Sequence, residues 1–439
     1  MRLQTAAGIP CQIAEFLGDG KQGEVYRARL GSSQVAVKWY KPSHATHWQR
    51  KVLEHLIDIG EPKGGKFLWP LHLVGIPGQA EFGFAMRLRD PAFRGLHRLV
   101  DRDLGGGQRI GFRALAGLGY QLADQFQLLH SHGLCYRDIS LDNVCFNATT
   151  QDLLVADCDN IAAKDAAGIK ISGTPKFIAP ELILGNARPS ADTDLYSLAV
   201  LLFYVLMNHH PLEGGLELQI PAPTEETDRA LYGEKPVFIF DPVNQTNRPD
   251  PVHQPNAHTF WWMYPELVRA RFTRAFTEGI RDPVNGRVPT TYWRRDMIQL
   301  RDLIVDCADH KCRRENVFDP DAASWKGGKA CWRCDKRIGY PFWLRVRHPD
   351  YDRRVVLNPG TQLFPHHLQR GADYDFGAPE AAVTQKEGEP EKYGLKNLSS
   401  KTWVSVLDGI RRPVLPEHTV RLVKGLRLNF HGVEGEVAG

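Results

Sequence analysis

The chain carries little net charge and lacks a hydrophobic stretch long enough to cross a bilayer. Its formal charge is +4 over 439 residues and its basic residues are dispersed, so nucleic acid and anionic membranes are not the expected partners. The longest apolar run, Leu195 to Met207, is shorter than the roughly 20 residues of a spanning helix and is interrupted by Ser197. The first residues, MRLQTAAGIPC, contain no apolar signal core. We therefore expect a cytoplasmic protein without a membrane partner.

Cysteine is scarce, and half of it is clustered. Four of the eight cysteines are scattered, and the other four are Cys307, Cys312, Cys331 and Cys334. In a reducing compartment, a Cys-x4-Cys pair and a Cys-x2-Cys pair eighteen residues apart favour a metal over disulfides. Two such knuckles resemble a zinc ribbon, in which four thiolates close a tetrahedron around Zn2+. Buried free cysteines are the alternative, and His310 is a second candidate ligand within the first pair.

Three closely spaced glycines near the start of the chain form a recognisable motif. Gly18, Gly20 and Gly23 form G-x-G-x-x-G-x-V with Val25, and the flanking residues suit two strands joined by a tight turn. Glycines that merely permit the turn are one interpretation. The other is a lid whose backbone approaches phosphates because no side chains intervene.

The next strand favours the phosphate interpretation. Val35 to Val37 is apolar and ends in Lys38, whereas a surface strand would alternate polar residues. Lys38 is therefore a candidate phosphate ligand. Trp48 to Ile59 has helical periodicity and carries Glu54 where an ion-pair partner of Lys38 is expected, although a simply solvated glutamate is the alternative.

The decapeptide LCYRDISLDN has the residue types of a phosphoryl-transfer loop. It places Asp138 five residues before Asn143. A carboxylate at the first position can accept a hydroxyl proton, and an amide oxygen at the second can bind a cation without adding charge. A predicted helix from Gly111 to His130 leads into this loop.

Further motifs follow in order. A predicted buried strand, Leu153 to Ala156, leads into Asp157, a candidate metal ligand, and the tripeptide Ala179-Pro180-Glu181 ends twenty-four residues after that aspartate. The run DTDLYSLAVLLFYVL predicts a core helix that begins near Asp194. Arg287 is a candidate partner for Glu181, and an ordinary surface arginine is the alternative.

Together, the glycine turn, Lys38, Asp138-to-Asn143 and Asp157 resemble the eukaryotic-like protein kinase family over about residues 10 to 305. The resemblance implies a bilobal kinase fold and transfer of the γ-phosphoryl group of ATP to protein Ser or Thr hydroxyls. It makes Asp138 the base, and Asn143 and Asp157 the Mg2+ ligands. The residues for which it implies a place at ATP are Gly18, Gly20, Gly23, Val25, Lys38 and Glu54.

The resemblance also implies regulation and departures from the family pattern. Arg137 would neutralise a phosphate on Ser172, and Thr174 would hold the substrate-side loop. Asp194 would brace the catalytic loop. The departures are Tyr136, Ser140, Cys158 and Asp159, which stand where the family usually has His, Lys, Phe and Gly. These departures leave open a pseudokinase scaffold, which would bind nucleotide and partner proteins without efficient transfer.

The predicted fold class is α+β in four segments. Residues 1–90 would form the N-lobe, 91–305 the C-lobe, 306–340 a four-cysteine module like a zinc ribbon, and 341–439 a small all-β, sandwich-like domain. Within the C-lobe, KPVFIF (235–240) is predicted as an inserted strand, and within the β-domain Ala372 to Gly394 is predicted as a mobile loop.

The tail adds a second likeness. A kinase followed by a zinc ribbon and a β-module resembles bacterial kinases associated with tellurite-resistance systems, which implies a von Willebrand A-type protein and a metal-dependent phosphatase as partners. The segment GLKNLSSKTW is weakly similar to the end of a forkhead-associated domain. Both accessory modules would then serve partner recognition.

Overall fold

The computed structural model describes residues 3–100, 110–163, 173–309, 311–348, 352–372 and 374–439, and at 99–100 and 390–391 the backbone alone. Its contacts divide the chain into two compact units. The first unit contains Met1–Ile110, Gly117–Trp262 and Arg269–Arg295, and the second contains Gly111–Ala116, Met263–Val268 and Asp296–Gly439. The segment boundaries expected at residues 90, 305 and 340 stay predictions.

The first unit begins with an antiparallel barrel. Its strands close in the order β1-β2-β3-β4-β6-β5, and helix α1 follows β4. These elements are β1 (Leu3–Thr5), β2 (Pro10–Asp19), β3 (Gly23–Leu30), β4 (Ser33–Tyr40), α1 (His47–Ile59), β5 (Pro70–Gly75) and β6 (Phe82–Arg87).

Strand β4 has two different faces because neighbouring side chains point to opposite sides of a sheet. Val35 and Val37 pack inside the barrel, whereas Ala36 and Tyr40 belong to the core that includes Leu53 of α1. Lys38 lies between these last two strand residues on the same face. The alternation therefore turns one lysine toward α1.

The rest of the first unit is mainly helical. A three-stranded sheet in the order β10-β9-β7 and a two-stranded sheet, β11-β8, lie between the helices along the chain. The strands are β7 (Arg94–Gly95), β8 (Leu134–Cys135), β9 (Val144–Phe146), β10 (Leu153–Val155) and β11 (Ala162–Ala163). The helices through this part of the chain are α2 (His97–Val100), α3 (Phe112–Ser131), α4 (Pro180–Ile183), α5 (Ala191–Met207), α6 (Glu225–Arg229), α7 (Pro255–Trp261), α8 (Glu266–Phe276), α9 (Glu278–Arg281) and α10 (Thr290–Asp302).

The predicted strand KPVFIF is wrong. Residues 235–240 are irregular, because their backbone groups bond to single partners instead of a neighbouring strand: Ile239 N–H donates to Pro211 O, and Val237 O accepts from the Asn247 side chain. The apolar side chains serve packing, and Phe240 stacks on Trp261 with centroids 4.3 Å apart. A short apolar run does not by itself distinguish a strand from a buried irregular segment.

The second unit is rich in strands. Its larger sheets have the orders β17-β16-β25-β24-β21-β22 and β18-β19-β20-β23, and both contribute to one apolar core that includes Leu344, Val383 and Leu428. The elements are β12 (Ile304–Asp306), β13 (Glu315–Val317), β14 (Lys329–Ala330), β15 (Arg337–Ile338), β16 (Trp343–Arg347), β17 (Asp352–Val356), β18 (Gln362–Leu363), α11 (Pro365–Leu368), β19 (Ala381–Lys386), β20 (Glu389–Asn397), β21 (Trp403–Leu407), β22 (Ile410–Val414), β23 (Thr419–Arg421), β24 (Arg427–Phe430) and β25 (Val433–Ala438).

The sheet-rich C-terminal region and the mixture of helix and sheet before it confirm the coarse fold prediction. The mobile loop predicted at 372–394 is wrong over most of its length, since β19 and β20 pair as an antiparallel hairpin there. The charged residues that suggested a loop face outward, whereas the inward-facing residues of the strand, Ala381 and Val383, are buried. In the described part of the chain, no helix combines the length and apolarity that a membrane span requires.

Candidate active site

The glycine turn joins β2 to β3. Gly20 N–H donates to Gly23 O at 2.9 Å, which closes the turn. A Cβ on Gly23 would lie 2.3 Å from Trp39 O, so close packing on β4 requires glycine there. A Cβ on Gly18 would meet nothing within 4 Å. Glycine at that position is therefore not required by packing, which agrees with a role in admitting a ligand.

Lys38 is the buried cation beside this turn, and β4 places it opposite Val25 of β3. Its Nζ donates to both carboxylate oxygens of Asp159, at 2.9 and 3.1 Å, and to Gln22 Oε1 at 3.0 Å. An oxygen of a second carboxylate, Asp157 Oδ1, lies 3.6 Å from Nζ. Burial acts to lower the pKa of Lys38, but the charges of Asp159 and Asp157 raise it above its usual value overall. Lys38 is therefore charged at neutral pH.

The structure does not bring Glu54 to Lys38. Helix α1 buries Val52, Leu53 and Leu56, which turns Glu54 outward into solvent. Among the described residues, no ion pair includes its carboxylate. The expected Lys38–Glu54 pair is thus replaced by the Lys38–Asp159 pair, because the apolar positions of the helix decide which face meets the sheet.

Helix α1 reaches the site through an amide instead. Gln49 Nε2 donates to the Asp159 backbone carbonyl at 2.8 Å and to Tyr40 Oη at 3.1 Å, and Tyr40 Oη donates to Asp159 Oδ2 at 2.5 Å. Sequence reasoning missed Gln49 and Tyr40, and treated Asp159 only as a departure from the family pattern. The one available signal was a carboxylate where glycine is usual.

Asp138 lies in the loop after β8 and is held from two sides. Its Oδ1 accepts from the Thr174 backbone N–H at 2.9 Å and from Thr174 Oγ1 at 3.2 Å, and its Oδ2 accepts from Asn143 Nδ2 at 2.9 Å. Burial raises the pKa of Asp138, while the hydrogen bonds from Asn143 and Thr174 partly offset the shift. The result is an oriented carboxylate with more affinity for a proton than an exposed aspartate.

The loop backbone is braced by Asp194 in the first turn of α5. This carboxylate is only 2% exposed and accepts from the Tyr136 N–H at 2.6 Å and the Arg137 N–H at 2.9 Å. His130 Nε2 lies 3.0 Å from the same group. These contacts agree with the bracing role that the kinase resemblance implies.

Asn143 and Asp157 emerge at the same end of the β9–β10 hairpin. Asn143 precedes β9, Asp157 follows β10, and the Ala156 N–H donates to Asn143 O at 2.8 Å. Asp157 has φ +46°, a left-handed conformation that is uncommon for a residue other than glycine and occurs often at functional sites. Burial raises its pKa, with Lys38 opposing that effect.

Both residues suit a divalent cation. Asn143 uses Nδ2 to donate to the Asp138 carbonyl and carboxylate, so Oδ1 is the atom it can offer to a metal. Carboxylate and amide oxygens are the protein ligands that Mg2+ prefers. The donor set at Asn143 and Asp157 therefore fits magnesium.

Tyr136 and Ser140 are two further departures from the family pattern, and both side chains are buried. Tyr136 is buried and its hydroxyl donates to Ala156 O, which ties the loop to the residue before Asp157. Ser140 is fully buried, and its Oγ has no hydrogen-bond partner among the described residues. A serine enclosed in this way supplies no cation near Asp138.

The predicted regulatory residues are only partly described. Ser172 lies outside the described residues, so its role stays a prediction. Arg137 is half-buried and its Nη2 donates to Ala163 O at 3.3 Å. Thr174 contacts Asp138 directly, as given above, and its expected role in holding the substrate-side loop stays a prediction.

Arg287 and Glu181 form a buried ion pair in the first unit. Arg287 Nη2 lies 2.7 Å from both oxygens of Glu181. The arginine side chain is 2% exposed and the glutamate side chain 13%. The guanidinium also lies 4.8 Å from the ring centroid of Tyr196. The expected pairing of these two residues is therefore present.

The second unit contains the four clustered cysteines. Their Sγ atoms all lie within 4.8 Å of one another, with 3.7 Å between Cys307 and Cys334 and 3.9 Å between Cys312 and Cys331. Tetrahedral Zn–S bonds of about 2.3 Å require sulfur separations of about 3.8 Å. The arrangement fits zinc. His310, the alternative ligand, lies outside the described residues.

The local structure explains how these cysteines converge. One pair belongs to the β12–β13 hairpin and the other to the β14–β15 hairpin. Burial acts to raise the pKa of Cys331, but the Arg333 backbone N–H and the Asn316 side chain lower it to about 7. N–H groups aimed at the Cys331 sulfur favour its thiolate, which is the metal-binding form, whereas burial raises the pKa of Cys307 and Cys312.

A comparison with known protein families finds a match, and most of it lies in the first unit. The family model described as the protein kinase domain matches residues 103–229. That stretch contains Asp138, Asn143, Asp157 and Asp194, while the glycine turn and Lys38 precede it. The chain therefore contains a region similar to a protein kinase domain.

Curated kinases cover a similar part of the chain at low identity. The serine/threonine-protein kinase PkaB of Streptomyces coelicolor is 26% identical over 220 residues, which are 46% of this chain and 49% of that protein. CBL-interacting protein kinase 4 of Oryza sativa is 25% identical over 260 residues, 53% of this chain and 51% of that protein. The dual serine/threonine and tyrosine protein kinase of Strongylocentrotus purpuratus is 26% identical over 215 residues, 48% of this chain and 22% of that protein. The chain thus spans about half or less of these relatives' length.

Proposed function

We propose that this chain is an ATP-dependent protein kinase that phosphorylates Ser or Thr hydroxyls. The observation that carries the proposal is the convergence of a buried lysine, Lys38, on the same site as Asp138, Asn143 and Asp157. Lys38 Nζ lies 3.6 Å from Asp157 Oδ1, the Ala156 N–H donates to Asn143 O at 2.8 Å, and Asn143 Nδ2 donates to Asp138 at 2.9 Å. A binding scaffold has no physical need for an oriented base beside metal-binding oxygens and a phosphate-binding cation.

In the proposed reaction, the substrate hydroxyl oxygen attacks the γ-phosphorus of ATP. The bond to the β,γ-bridging oxygen breaks, ADP leaves, and the hydroxyl proton passes to the Asp138 carboxylate. Thr174 and Asn143 hold that carboxylate in place. The raised pKa of Asp138 improves its ability to take the proton, because a stronger base binds the proton more tightly.

The remaining residues position the nucleotide. Lys38 neutralises phosphate charge, and the glycine turn lets backbone N–H groups approach the phosphates. Asn143 and Asp157 would hold Mg2+, which supplies further neutralisation of phosphate charge when bound. Asp194 keeps the loop geometry by binding two of its backbone N–H groups.

The second unit is proposed to hold one structural zinc ion at Cys307, Cys312, Cys331 and Cys334. Four thiolates at these spacings complete a closed tetrahedron, which is typical of structural sites. The sheet-rich remainder of the unit would present a protein partner or substrate. The von Willebrand A-type and phosphatase partners and the forkhead-associated likeness stay predictions from resemblance, and the cytoplasmic location stays a prediction from the sequence.

Incubation of the full chain with labelled ATP, Mg2+ and a generic protein substrate tests the activity. The Asp138→Asn variant should lower turnover by at least about 100-fold, the usual contribution of a general base, with ATP affinity nearly unchanged. Asp142→Asn is a matched control, because this neighbouring aspartate is exposed. Equal turnover in wild type and Asp138→Asn would contradict the proposal. ATP binding without transfer by the wild type would instead support the pseudokinase alternative.

A further inference from the structure

Asp159 is a fully buried carboxylate whose charge is compensated by Lys38. Its side chain is 0% exposed, yet an isolated charge in such surroundings would be very unfavourable. The cation that compensates it is Lys38, which donates to both of its oxygens, and Tyr40 donates a further hydrogen bond. The pair is therefore a feature of the protein interior and not a surface contact.

The other two candidate partners of Lys38 are less suitable. Asp157 lies farther away, at 3.6 Å, and its side chain is 50% exposed. Glu54 points into solvent. A long lysine side chain loses considerable rotamer freedom when it is fixed, so a short, buried, bidentate partner is what can hold it.

We propose that Asp159 is the positioning residue of Lys38, and that it supplies the carboxylate expected from helix α1. The inference rests on the proposed kinase function and adds to it a residue that acts through Lys38. In this chain, the charge that orients the phosphate-binding lysine belongs to the segment directly after Asp157. Helix α1 contributes only the neutral amide of Gln49.

This arrangement has a consequence for the metal site. Because Asp159 compensates Lys38, the Asp157 carboxylate is not needed as the lysine's counter-ion and remains available to a cation. The backbone links the two carboxylates across one intervening residue, Cys158, which is itself buried. Movement of this segment would therefore displace the lysine's partner and the metal ligand together, whereas movement of α1 would break the hydrogen bonds from Gln49 and leave the Lys38–Asp159 contact to other elements.

A stability cycle tests the pair without any need for turnover. Lys38→Met leaves the buried Asp159 charge without its cation, and Asp159→Asn leaves Lys38 with only the more distant, half-exposed Asp157 carboxylate, so each should lower the melting temperature of the full chain. The double variant removes both charges and should melt above both single variants. Asp58→Asn is the matched control, because this aspartate is exposed on α1. Additive losses in the double variant would overturn the pairing.

Kinetics test the positioning role. Asp159→Asn keeps the size of the side chain and should raise the KM for ATP by about tenfold or more while kcat also falls, because the lysine is no longer oriented toward the phosphates. Adding Gln49→Glu to that variant returns a carboxylate to the same cluster and should recover part of the lost kcat/KM. A purely structural role for Asp159 predicts no such rescue.

The competing assignment is tested in parallel. Glu54→Gln should leave both the melting temperature and the KM for ATP near their wild-type values, and a loss as large as that of Asp159→Asn would overturn the proposal. If the wild type transfers no phosphate, the kinase function fails. Titration with a fluorescent ATP analogue then supplies the readout: weaker binding by Asp159→Asn, with recovery by Gln49→Glu, supports the positioning role, and unchanged binding overturns it.

Discussion

Acidification should destabilise the first unit through one buried histidine, His210. This residue follows α5 and is fully buried. The Leu212 N–H donates to its Nδ1 at 3.1 Å, so the ring proton resides on Nε2, which donates to Lys176 O at 2.9 Å. Lys176 lies two residues after Thr174, the partner of Asp138. His210 thus holds the chain next to the proposed base.

Protonation of this ring is unfavourable in the folded state. A proton on Nδ1 would face the Leu212 N–H and replace a hydrogen bond with two opposed donors. Burial lowers the pKa of His210 to about 4 from its usual value of 6.5, although the nearby Glu213 carboxylate opposes the shift. Between those two pH values the unfolded chain binds more protons than the folded chain, so stability falls as the pH falls.

The size of the effect follows from linkage. Between pH 7.5 and pH 5.5, a histidine with an unfolded pKa of 6.5 and a folded pKa of about 4 costs about 1.3 kcal/mol of unfolding free energy. The figure changes little if the folded pKa is one unit higher or lower, because pH 5.5 lies above that range. The loss levels off below about pH 4.

Urea unfolding at pH 7.5 and at pH 5.5 measures this change in unfolding free energy. Hydrogen exchange of the α5 amides at the same two pH values is a second measurement, local to this part of the unit. The His210→Asn variant cannot titrate at this position and should lose stability at pH 7.5 through lost packing. Its deficit relative to wild type should then shrink by about 1.3 kcal/mol at pH 5.5. His258→Asn, an exposed histidine on α7, is the control. A wild type and a His210→Asn variant with parallel pH dependence would refute the reasoning.

Two further predictions concern the metal cluster and the buried ion pair. Full-length protein purified without chelator should contain one zinc per chain by elemental analysis; Cys331→Ser should lower that content and Cys11→Ser, in the other unit, should not. Zinc-free wild type would contradict the assignment. Glu181→Gln leaves Arg287 charged in a buried position and should lower the free energy of unfolding by about 3–5 kcal/mol in urea, with partial recovery on adding Arg287→Met. A loss below about 1 kcal/mol would show that the buried pair is not needed.

Much of the candidate site is predictable because its residues lie close together along the chain. The Asp138-to-Asn143 spacing, the position of Asp157 two residues after β10 and the spacing within each cysteine pair each belong to one short loop or hairpin. Within one loop or hairpin, the local backbone geometry fixes the distance between two residues that are a given number of positions apart. The helices α1, α3 and α5 are equally predictable, since their apolar residues repeat at helical spacing over several turns.

Strand assignments were less predictable where few inward residues carried the pattern. KPVFIF (235–240) is apolar but irregular, and residues 381–397 are charged yet form β19 and β20. In the first case aromatic packing determined the backbone path, and in the second the solvent-facing half of each strand dominated the composition. Neither preference is visible in a short window of sequence.

The sequence alone determined which chemical groups the site contains, because motif order and spacing identify Lys38, Asp138, Asn143 and Asp157 as a set. Only the tertiary structure decided which carboxylate partners the lysine. Asp159 is 121 residues away from Lys38, and Glu54 is much nearer along the chain. The choice depends on which face of α1 packs against the sheet and on how the turn after β10 closes, and those are properties of long-range packing that no local spacing specifies.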